Sequence, residues 1–282
     1  MITGSIVALV TPMHTDGSVD WEALERLLEL HITAGTSAIG AVGTTGESAT
    51  LSHPEHCEVF RRCVDYVAGR IPIVAGTGSN STWEAIELTH AAADAGADAC
   101  LLVTPYYNRP TQRGMYEHFK AIAEAVTVPQ ILYNVPGRTS VDLLNDTTVR
   151  LAELDNIVGI KDATGNLERG RELIAAVPAD FALYSGDDPT ALEFILSGAH
   201  GNISVTANVA PALVAEVCRL GLAGERDAAL VIDNSLARLI RLDNVMNITF
   251  FCRDPGRAII LNLCNLLLNK VFYCLTPCFF PH

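Results

Sequence analysis

The sequence predicts a (β/α)8 barrel, a TIM barrel of the α/β class, followed by a C-terminal helical extension. Within the first 224 residues, an apolar β-rich run, a polar loop and an amphipathic run recur eight times in that order. The strand-like runs are almost continuously apolar, as expected of parallel strands buried on both faces. Eight such units match the barrel in number and length. A doubly wound open sheet is the alternative, but it usually begins with a GxGxxG turn, which is missing here.

The elements follow one another in a regular order along the chain. The strands are predicted at Ser5–Thr11, Ala38–Gly43, Pro72–Gly76, Ala99–Thr104, Gln130–Asn134, Ile157–Lys161, Ala182–Ser185 and Asn202–Thr206. The helices are predicted at Trp21–Ala34, Pro54–Ala68, Thr82–Ala95, Gly114–Ala125, Asp146–Leu154, Glu168–Ala176, Thr190–Leu196 and Pro211–Leu222. Residues 1–224 then form a catalytic barrel, and residues 225–282 form a C-terminal helical region that is atypical from about residue 244.

The composition excludes several classes of protein. Hydrophobic residues make up 49% of the chain and charged residues 18%, which excludes a disordered protein. A net charge of −13 argues against nucleic acid as a partner, because such proteins show a basic face. The N-terminus lacks the basic region and cleavage site of a secretion signal. We therefore expect a cytoplasmic protein, with Cys57, Cys63, Cys100 and Cys218 as reduced thiols of the core.

Lys161 is the first candidate for chemistry. Active sites of this fold lie in the loops at the C-terminal ends of the strands, and Lys161 ends the predicted sixth strand. A lysine there points into the mouth of the barrel, where burial lowers its pKa. The unprotonated amine can then attack a carbonyl carbon and form a Schiff base. The alternative is a structural lysine paired with Asp162 or Asp187.

Hydroxyl groups at other strand ends form a candidate proton relay. Tyr133 ends the strand next to that of Lys161, and Thr44 and Tyr107 follow two further strands. Their hydroxyls could pass protons during imine formation. Each of them alone could equally be a capping threonine or an amphipathic core tyrosine. Histidines are not clustered at strand ends, so no catalytic metal is expected.

Two further features suit carboxylate groups. The segment GTTGE, at residues 43–47, forms a tight turn whose backbone N–H groups and two hydroxyls could grip a small carboxylate. Arg138 follows a Pro-Gly turn at the barrel mouth, where its guanidinium could bind a second carboxylate with two hydrogen bonds. The alternative for Arg138 is an exposed loop arginine.

Six segments together resemble one known family. They are GTTGESATL, VTPYYNRP, ILYNVPGRT, GIKDATG, YSGDD and GNISVTANVAP. From about Met1 to Asp233 the chain resembles the dihydrodipicolinate synthase (4-hydroxy-tetrahydrodipicolinate synthase) family, in the N-acetylneuraminate lyase-like superfamily of class I aldolases. The resemblance implies condensation of pyruvate with L-aspartate 4-semialdehyde, on the diaminopimelate route to lysine. It also implies a homotetramer built as a dimer of dimers.

The resemblance assigns roles to individual residues. Lys161 would form the pyruvyl imine, which is itself the electron sink, so neither an organic cofactor nor a metal is implied. Tyr133, Thr44 and Tyr107 would relay protons, with Tyr107 supplied across a tight dimer interface. The residues that would contact the substrates are Thr45 at the pyruvate carboxylate, Arg138 at the semialdehyde carboxylate, and Gly186 and Ile203 near the imine.

A second group of residues matches the family's site for feedback inhibition by lysine. A free amino acid needs acceptors for its ammonium, which Glu84 and Asn80 could supply, and donors for its carboxylate, which Tyr106 could supply. The alternative is a set of solvated polar residues at a helix start and a subunit edge. The group comprises Ser48, Ala49, His53, His56, Asn80, Glu84 and Tyr106.

The last stretch departs from the family pattern. Four of the eight cysteines lie between Asn244 and His282. Three interpretations remain open: a tail produced by a shifted reading frame or sequencing artefact, a divergent helical tail, or a membrane anchor. The apolar run at Ala258–Leu268 is shorter than the roughly 20 residues that span a bilayer. If the tail is foreign, we expect the chain to be less stable than a homologue with a family-like end.

Two other functions remain as alternatives. One is another pyruvate-dependent aldolase or lyase of the superfamily, acting on N-acetylneuraminate or a keto-sugar acid. Arg138 and the pair Tyr106 and Tyr107 argue against it. The other is a barrel without catalysis that only binds pyruvate or lysine, which the atypical tail alone favours.

Overall fold

The structure, a computed structural model, describes residues 1–246, with side chains through residue 241. Eight parallel strands follow one another around a closed barrel, and the last pairs with the first. They are β1 (Gly4–Ala8), β2 (Ala38–Ala41), β3 (Ile73–Gly76), β4 (Ala99–Val103), β5 (Gln130–Asn134), β6 (Ile157–Asp162), β7 (Ala182–Ser185) and β8 (Gly201–Ser204). The predicted (β/α)8 barrel is therefore confirmed.

Helices connect the strands around the outside. They are α1 (Trp21–Thr33), α2 (His53–Val67), α3 (Thr82–Asp94), α4 (Gln112–Ala125), α5 (Pro136–Thr139), α6 (Asn145–Leu151), α7 (Leu167–Ala176), α8 (Ala191–Leu196), α9 (Pro211–Leu222) and α10 (Arg226–Met246). The four-residue α5 was not predicted. A run this short has too few residues to show helical periodicity in the sequence.

N-terminal caps decide where several helices begin. The Ser52 side chain accepts a hydrogen bond from the backbone N–H of Glu55, and the Glu55 carboxylate accepts one from the backbone N–H of Ser52, so α2 begins at His53. Thr111 caps α4 in the same way, so that helix begins at Gln112. The predicted starts at Pro54 and Gly114 were one and two residues late, because the caps satisfy N–H groups of the first turn.

Four predicted strands ran too far toward the barrel mouth; the last of them was predicted to reach Thr206, but β8 ends at Ser204. The predicted first strand reached Thr11, whereas β1 ends at Ala8. The second was predicted to reach Gly43, but β2 ends at Ala41 and Val42 has φ +54°. The fourth ends at Val103, one residue before Thr104. Thr11, Val42 and Thr104 are all buried. Loop residues at the barrel mouth are therefore buried like strand residues, although they lie beyond the last hydrogen-bonded strand pair.

Strand side chains, joined by Val135 just after β5, fill the barrel interior. One buried cluster takes members from β1 to β5, β7 and β8, including Ile6, Val74, Tyr133, Tyr184 and Ile203. The other two clusters combine strand and helix residues and fill the layer between barrel and helices. This separation identifies the interior-facing positions of each strand.

The first and last strands are joined by side chains as well as by the ladder. Gly4 to Val7 pair in register with Gly201 to Ser204. Beyond them, the Asn208 side chain donates to the carbonyl of Ala8 (2.8 Å) and accepts from the N–H of Val10 (3.0 Å). Residues about 200 positions apart therefore close the barrel.

The described part of the C-terminal region is helical, as predicted. Ala229, Leu236 and Ile240 of α10 are buried in the same cluster as residues of β1, α1 and α9. α10 therefore packs on the barrel, and the domain division after residue 224 stays a prediction. In the described residues no helix is long and apolar enough to cross a membrane. The interpretations of the atypical tail fall almost wholly on residues 247–282, outside the described residues.

The four described cysteines are free thiols. Cys63, Cys100 and Cys218 are buried, as predicted. Cys57 is partly buried and packs against the edge of the core, with its sulfur 3.9 Å from Nδ1 of His53.

Candidate active site

Lys161 lies inside the barrel at the end of β6. It pairs in register with Tyr133 of β5 on one side and Tyr184 of β7 on the other, and both belong to the interior cluster. Its side chain is 4% exposed. Burial lowers the pKa of Lys161 from 10.5 to about 8; the negative charge of Asp188 opposes that shift, and the positive charge of Arg138 adds to it. A substantial fraction of the amine is therefore unprotonated near neutral pH.

The carboxylates suggested as structural partners of Lys161 have other partners. Asp162 accepts a hydrogen bond from the N–H of Thr164 (2.7 Å), and its second oxygen faces Nε of Arg169 (3.5 Å). Asp187 accepts from the hydroxyl of Thr190 (2.7 Å). Lys161 is thus held by burial and by its neighbours in the ladder. The arrangement favours the reactive lysine over the paired structural lysine.

Tyr133 is in direct contact with the lysine. Nζ of Lys161 lies 4.4 Å from the centre of the Tyr133 ring. Burial raises the pKa of the Tyr133 phenol to about 12, while Arg138 and a hydrogen bond with the Thr44 side chain oppose the shift. The phenol is therefore neutral at physiological pH and can both accept and donate a proton. Lys161 thus lies against the ring of Tyr133, and the hydroxyl of Tyr133 is hydrogen-bonded to Thr44.

The loop after β2 brings two threonines to the barrel mouth. The hydroxyl of Thr11 donates to the carbonyl of Gly46 (2.7 Å), which fixes the loop to the end of the first βα unit. Glu47 has a left-handed backbone, with φ +58°. Thr45 is buried and Thr44 partly exposed. The tight turn predicted for GTTGE is present, with Thr44 directed to Tyr133.

Arg138 belongs to the short helix α5 rather than to a loop. It is exposed, yet its positive charge acts on the pKa of both Tyr133 and Lys161. The N–H of Arg138 donates to the carbonyl of Val135 (2.9 Å), so the backbone of the residue is ordered by the turn that follows β5. A guanidinium at this position adds positive charge to the entrance of the site.

Gly186 packs directly against the lysine side chain. A Cβ at this position would lie 2.7 Å from Cε of Lys161 and 2.8 Å from Cβ of Ala163. Only glycine leaves Lys161 in its present position. Ile203 of β8 is buried in the interior cluster with Tyr133 and Tyr184. Both residues line the interior of the barrel, Gly186 against the lysine itself.

Tyr107 is not brought together with the other candidates within one chain. It is 89% exposed, whereas Lys161 and Tyr133 are buried. Its backbone has φ +69°, an uncommon conformation for a tyrosine. A large aromatic side chain projects from an unusual backbone conformation into solvent.

An ion-pair network supports β5 and β6 from outside the barrel. Arg169 of α7 donates to both carboxylate oxygens of Asp142 (2.7 Å each) and faces Asp162. Asp142 in turn accepts from the side chain of Asn134 (2.8 Å), at the end of β5. Asn134 and Asp162 directly follow Tyr133 and Lys161. The network therefore fixes the strand ends that carry the two reactive side chains.

Asp188 was not among the candidates from the sequence, although it belongs to the quoted segment YSGDD. It begins the 3-10 turn after β7, and its negative charge acts on Lys161. Its carboxylate accepts hydrogen bonds from the Asn202 side chain (2.7 Å) and from Val205 and Thr206 (2.9–3.1 Å). The acidic pair in YSGDD was a signal for the site, but it did not indicate which carboxylate faces the lysine.

The candidate lysine-binding residues lie on the loops after β2, β3 and β4 and in the first turns of the helices α2 and α3. Ser48 and Ala49 form a 3-10 turn, Asn80 accepts a hydrogen bond through its carbonyl from the Asn108 side chain (3.2 Å), and Tyr106 is partly buried. Glu84 is exposed and accepts from the hydroxyl of Ser79 (2.6 Å). The three loops therefore meet on one side of the barrel.

The two histidines of this group have different surroundings. His53 is exposed at the start of α2. His56 is buried, and its Nε2 lies 2.7 Å from the carbonyl oxygen of Gly76. Burial lowers the pKa of His56, and both His53 and Glu84 act on it electrostatically. The i, i+3 spacing thus places the histidines near one another, but the backbone of β3 orients only His56.

No group of three side chains suited to a metal ion occurs in the described residues. The candidate chemistry is that of a buried amine beside a neutral phenol. Two threonine hydroxyls and a guanidinium stand at the entrance, and one carboxylate lies behind the lysine. Such a site can form an imine with a keto acid and move protons to and from it.

Known proteins share this fold and sequence. The Dihydrodipicolinate synthetase family model matches residues 1–250. The chain is 62% identical over 241 residues to 4-hydroxy-tetrahydrodipicolinate synthase of Stutzerimonas stutzeri (strain A1501), covering 86% of this chain and 82% of the relative. It is similar to chloride-inhibited dihydrodipicolinate synthase of Acinetobacter baumannii complexed with pyruvate (61% identity, TM-score 0.85, 86% and 84% of the two chains). It is also similar to the enzyme of Cyanidioschyzon merolae with lysine bound (39% identity, TM-score 0.85, 93% and 88%).

Proposed function

The chain belongs to the dihydrodipicolinate synthetase family, and we propose that its reaction proceeds through an imine on Lys161. It is a lyase that condenses pyruvate with L-aspartate 4-semialdehyde to 4-hydroxy-tetrahydrodipicolinate, on the diaminopimelate route to lysine. The observation that carries the mechanism is the buried amine of Lys161, with a pKa lowered to about 8, in contact with the neutral phenol of Tyr133.

The first step joins Nζ of Lys161 to the keto carbon of pyruvate. The C–N bond forms, the keto oxygen leaves as water, and one proton is taken up to give the cationic imine. Tyr133 lies beside the amine, with its ring centre 4.4 Å from Nζ, and is the proposed proton-transfer group of this step. Thr44 is hydrogen-bonded to Tyr133 and continues the relay toward the mouth of the barrel. Tyr107 of the same chain is exposed and does not join these two residues.

Tyr107 of a second copy is the proposed third member of the relay. Its exposure and its positive φ suit a side chain that projects into a neighbouring subunit. We therefore propose that two copies form a tight dimer and that two dimers form a homotetramer. The membership of the chain in this family, and the exposed aromatic side chain, support that assembly.

The carboxylates of the two substrates are assigned to different parts of the site. Thr45 and the turn that carries it would hold the pyruvate carboxylate through hydroxyl and N–H groups. Arg138 would bind the carboxylate of the semialdehyde, with two hydrogen bonds to its two oxygens. Gly186 and Ile203 would shape the space around the imine, because one contacts the lysine and the other lines the barrel.

The carbon–carbon bond follows from the electronics of the imine. Loss of a proton from the pyruvyl methyl group gives an enamine, because the cationic nitrogen accepts the electron pair. The enamine carbon attacks the aldehyde carbon of the semialdehyde, and the aldehyde oxygen takes a proton. The amine of the product then attacks the imine carbon and releases Lys161. The imine serves as the electron sink, so the proposed reaction uses no further cofactor.

Borohydride trapping tests this mechanism. We expect reduction in the presence of pyruvate to attach a pyruvyl group to Lys161, located by peptide mass spectrometry. Lys120, which pairs with Glu124 on the surface of α4, serves as an internal control for non-specific reaction. Lys161→Arg keeps the charge but cannot form the imine. An adduct on Lys120 in equal yield, or none on Lys161, would contradict the mechanism.

A panel of aldehydes then tests the second substrate. With pyruvate held constant, we expect L-aspartate 4-semialdehyde to be consumed faster than N-acetylmannosamine or simple sugar aldehydes. Arg138→Leu should weaken the preference, because the other aldehydes lack the carboxylate. A preference for a sugar aldehyde would assign the chain to another reaction of the superfamily.

L-Lysine is the proposed feedback inhibitor, bound by the residues on the loops after β2, β3 and β4 and in the first turns of α2 and α3. The lysine-bound enzyme of Cyanidioschyzon merolae supports this proposal. The acidic side chain of Glu84 and the partly buried Tyr106 provide an acceptor for an ammonium group and a donor for a carboxylate.

The cytoplasm is the proposed location, because the substrates are small polar metabolites.

A further inference from the structure

Asp188 is a carboxylate near the reactive amine to which the proposed mechanism assigns no role. It lies two residues after Gly186, the residue that contacts the aliphatic chain of Lys161. Its position is fixed from the neighbouring strand, because Asn202 belongs to β8 and Val205 and Thr206 directly follow it.

Four donors hold the Asp188 carboxylate in one place. One oxygen accepts from the Asn202 side chain, and the other accepts from the N–H groups of Val205 and Thr206 and from the Thr206 hydroxyl. Both carboxylate oxygens are restrained by donors. The carboxylate is therefore fixed between the ends of β7 and β8, two residues from the glycine that contacts Lys161, and its negative charge raises the pKa of that lysine.

Among the described groups whose charge acts on the pKa of Lys161, Asp188 is the negative one, while the carboxylates of Asp162 and Asp187 have the other partners given above. Arg138, from α5, carries positive charge and opposes protonation of Lys161. Tyr133, from β5, is neutral because burial raises its pKa to about 12. Tyr184, from β7, is also neutral and donates its hydroxyl to the carbonyl of Ile2 (2.8 Å). Burial disfavours the protonated form of Lys161, and the negative charge of Asp188 opposes that effect.

We propose that Asp188 is a positioning residue of the reaction, whose fixed carboxylate stabilises positive charge on the Lys161 nitrogen, both in the free amine and in the imine. In imine formation the amine, the keto acid and one proton give the cationic imine and water. The nitrogen of this intermediate is positively charged inside an otherwise apolar barrel. A nearby anion stabilises that charge without contacting the reacting carbon.

Asp188→Asn removes the charge while keeping the shape. The amide oxygen can accept from Val205 and Thr206, and the amide of Asn202, whose Oδ1 has no hydrogen-bond partner in the described structure, can turn to accept from the new NH2 group. Asp187→Asn is the matched control, because it removes a neighbouring charge that binds Thr190 instead. Thr206→Val removes one hydrogen bond to Asp188 and leaves its charge in place.

The measurement is the rate of pyruvate attachment to Lys161 by borohydride trapping, from about pH 6 to about pH 10, with thermal unfolding recorded in parallel. Removing the anion lowers the pKa of Lys161 further. We therefore expect Asp188→Asn to move the acid limb of the profile to lower pH by about half a unit or more. Asp187→Asn and Thr206→Val should leave the limb in place, although Thr206→Val should unfold at a lower temperature.

This inference rests on the proposed imine at Lys161, and the two can fail separately. Absence of an adduct in the wild-type protein would overturn both. An adduct in the wild type with an unmoved limb in Asp188→Asn would overturn the role of Asp188 alone. An equal shift in Thr206→Val would show that geometry rather than charge is responsible, and would also overturn it. Should Asp188→Asn not fold, Asp188→Ala carries the same expectation.

Discussion

Gly186 and Lys161 are in such close contact that a single methyl group would not fit between them. A Cβ on residue 186 would lie 2.7 Å from Cε and 3.0 Å from Cγ of the lysine. The opposite wall of the lysine is the ring of Tyr133. The side chain is therefore confined between backbone and ring, and its amine is held at the end of β6.

Gly186→Ala should displace the amine. Because Ala163 blocks the other direction at 2.8 Å, the lysine rather than the new methyl group must move. We expect the trapping rate with pyruvate to fall by about 10- to 100-fold, as is typical for a displacement of about 1 Å in a reacting group. Gly137→Ala is the control, since a Cβ there meets nothing within 4 Å. Equal rates for wild type and Gly186→Ala would contradict the steric argument.

The rate of imine formation should depend on pH through Lys161. Burial lowers its pKa to about 8, so the unprotonated fraction rises as the pH increases through that value and levels off above it. We expect the initial trapping rate at saturating borohydride and constant pyruvate to follow this curve. Lys161→Arg sets the background at each pH. A rate that keeps rising to about pH 10.5, the ordinary range of lysine, would show that the amine is not perturbed.

Tyr133→Phe should distinguish the contribution of the Tyr133 hydroxyl from that of its aromatic ring. The substitution keeps the aromatic face near Nζ but removes the hydroxyl that bonds Thr44. We expect kcat of the condensation to fall by about 10²- to 10⁴-fold, the usual contribution of a general acid–base group.

Tyr184→Phe is the matched control for that experiment. Tyr184 flanks Lys161 on the other side, but its hydroxyl donates to the carbonyl of Ile2 instead. It should lose about 1 kcal/mol of stability, from one hydrogen bond, with little change in kcat. Similar losses of kcat in both variants would argue against a specific relay through Tyr133.

Two buried histidines should make the protein sensitive to mild acid. Burial lowers the pKa of His31 and of His118 from 6.5 to about 4. Because the unfolded chain takes up protons first, stability is complete above about pH 7 and falls as the pH drops from 6.5 toward 4. Each histidine should cost about 2 kcal/mol of unfolding free energy between pH 7.5 and pH 5.

Denaturant unfolding of His31→Gln at both pH values measures this effect. His31 contacts the hydroxyl of Thr36 (3.0 Å), a bond that glutamine can replace. The variant should lose less stability than the wild type between the two pH values. His14→Gln, at an exposed position, is the control. An unchanged pH dependence in His31→Gln would rule out this source of acid sensitivity.

Glu84→Ala should weaken inhibition by lysine. The carboxylate, which accepts from Ser79 at the start of α3, is the proposed acceptor for the ligand's ammonium group. We expect the concentration of L-lysine for half-inhibition to rise about tenfold or more, the effect of losing a charge-assisted hydrogen bond. Glu87→Ala, at an exposed position on the same helix, should leave it unchanged. Unaltered inhibition in Glu84→Ala would remove this residue from the site.

The order of the elements and the central pair of the site could be predicted from the sequence. In a barrel of consecutive strands, residues near the ends of strands five and six must be neighbours, so the sequence predicts that Tyr133 and Lys161 lie side by side, as they do. Apolar continuity of the strands predicted the closed sheet. Strand ends were less accurate, because buried loop residues such as Leu9 and Val42 resemble strand residues.

Other features depend on contacts between distant segments. The donors that hold Asp188 come from the end of β8, and two of them are backbone N–H groups that carry no side-chain signature. The left-handed backbone of Tyr107 could not be predicted either, because tyrosine is not a residue type that favours this conformation. The burial of His56 follows from its approach to Gly76 across two βα units. Such relationships are set by tertiary packing rather than by local pattern.

The link between Asn208 and the end of β1 has a consequence for synthesis on the ribosome. Until β8 and the segment around Asn208 leave the ribosome, β1 and β7 each have one edge without a partner strand. The open edge of β1 persists while nearly 200 further residues are translated. Open edges of this kind recruit strands from other chains. A nascent chain of this fold is therefore most exposed to misassembly late in its translation, and a chaperone that shields its N-terminal strand would act at that stage.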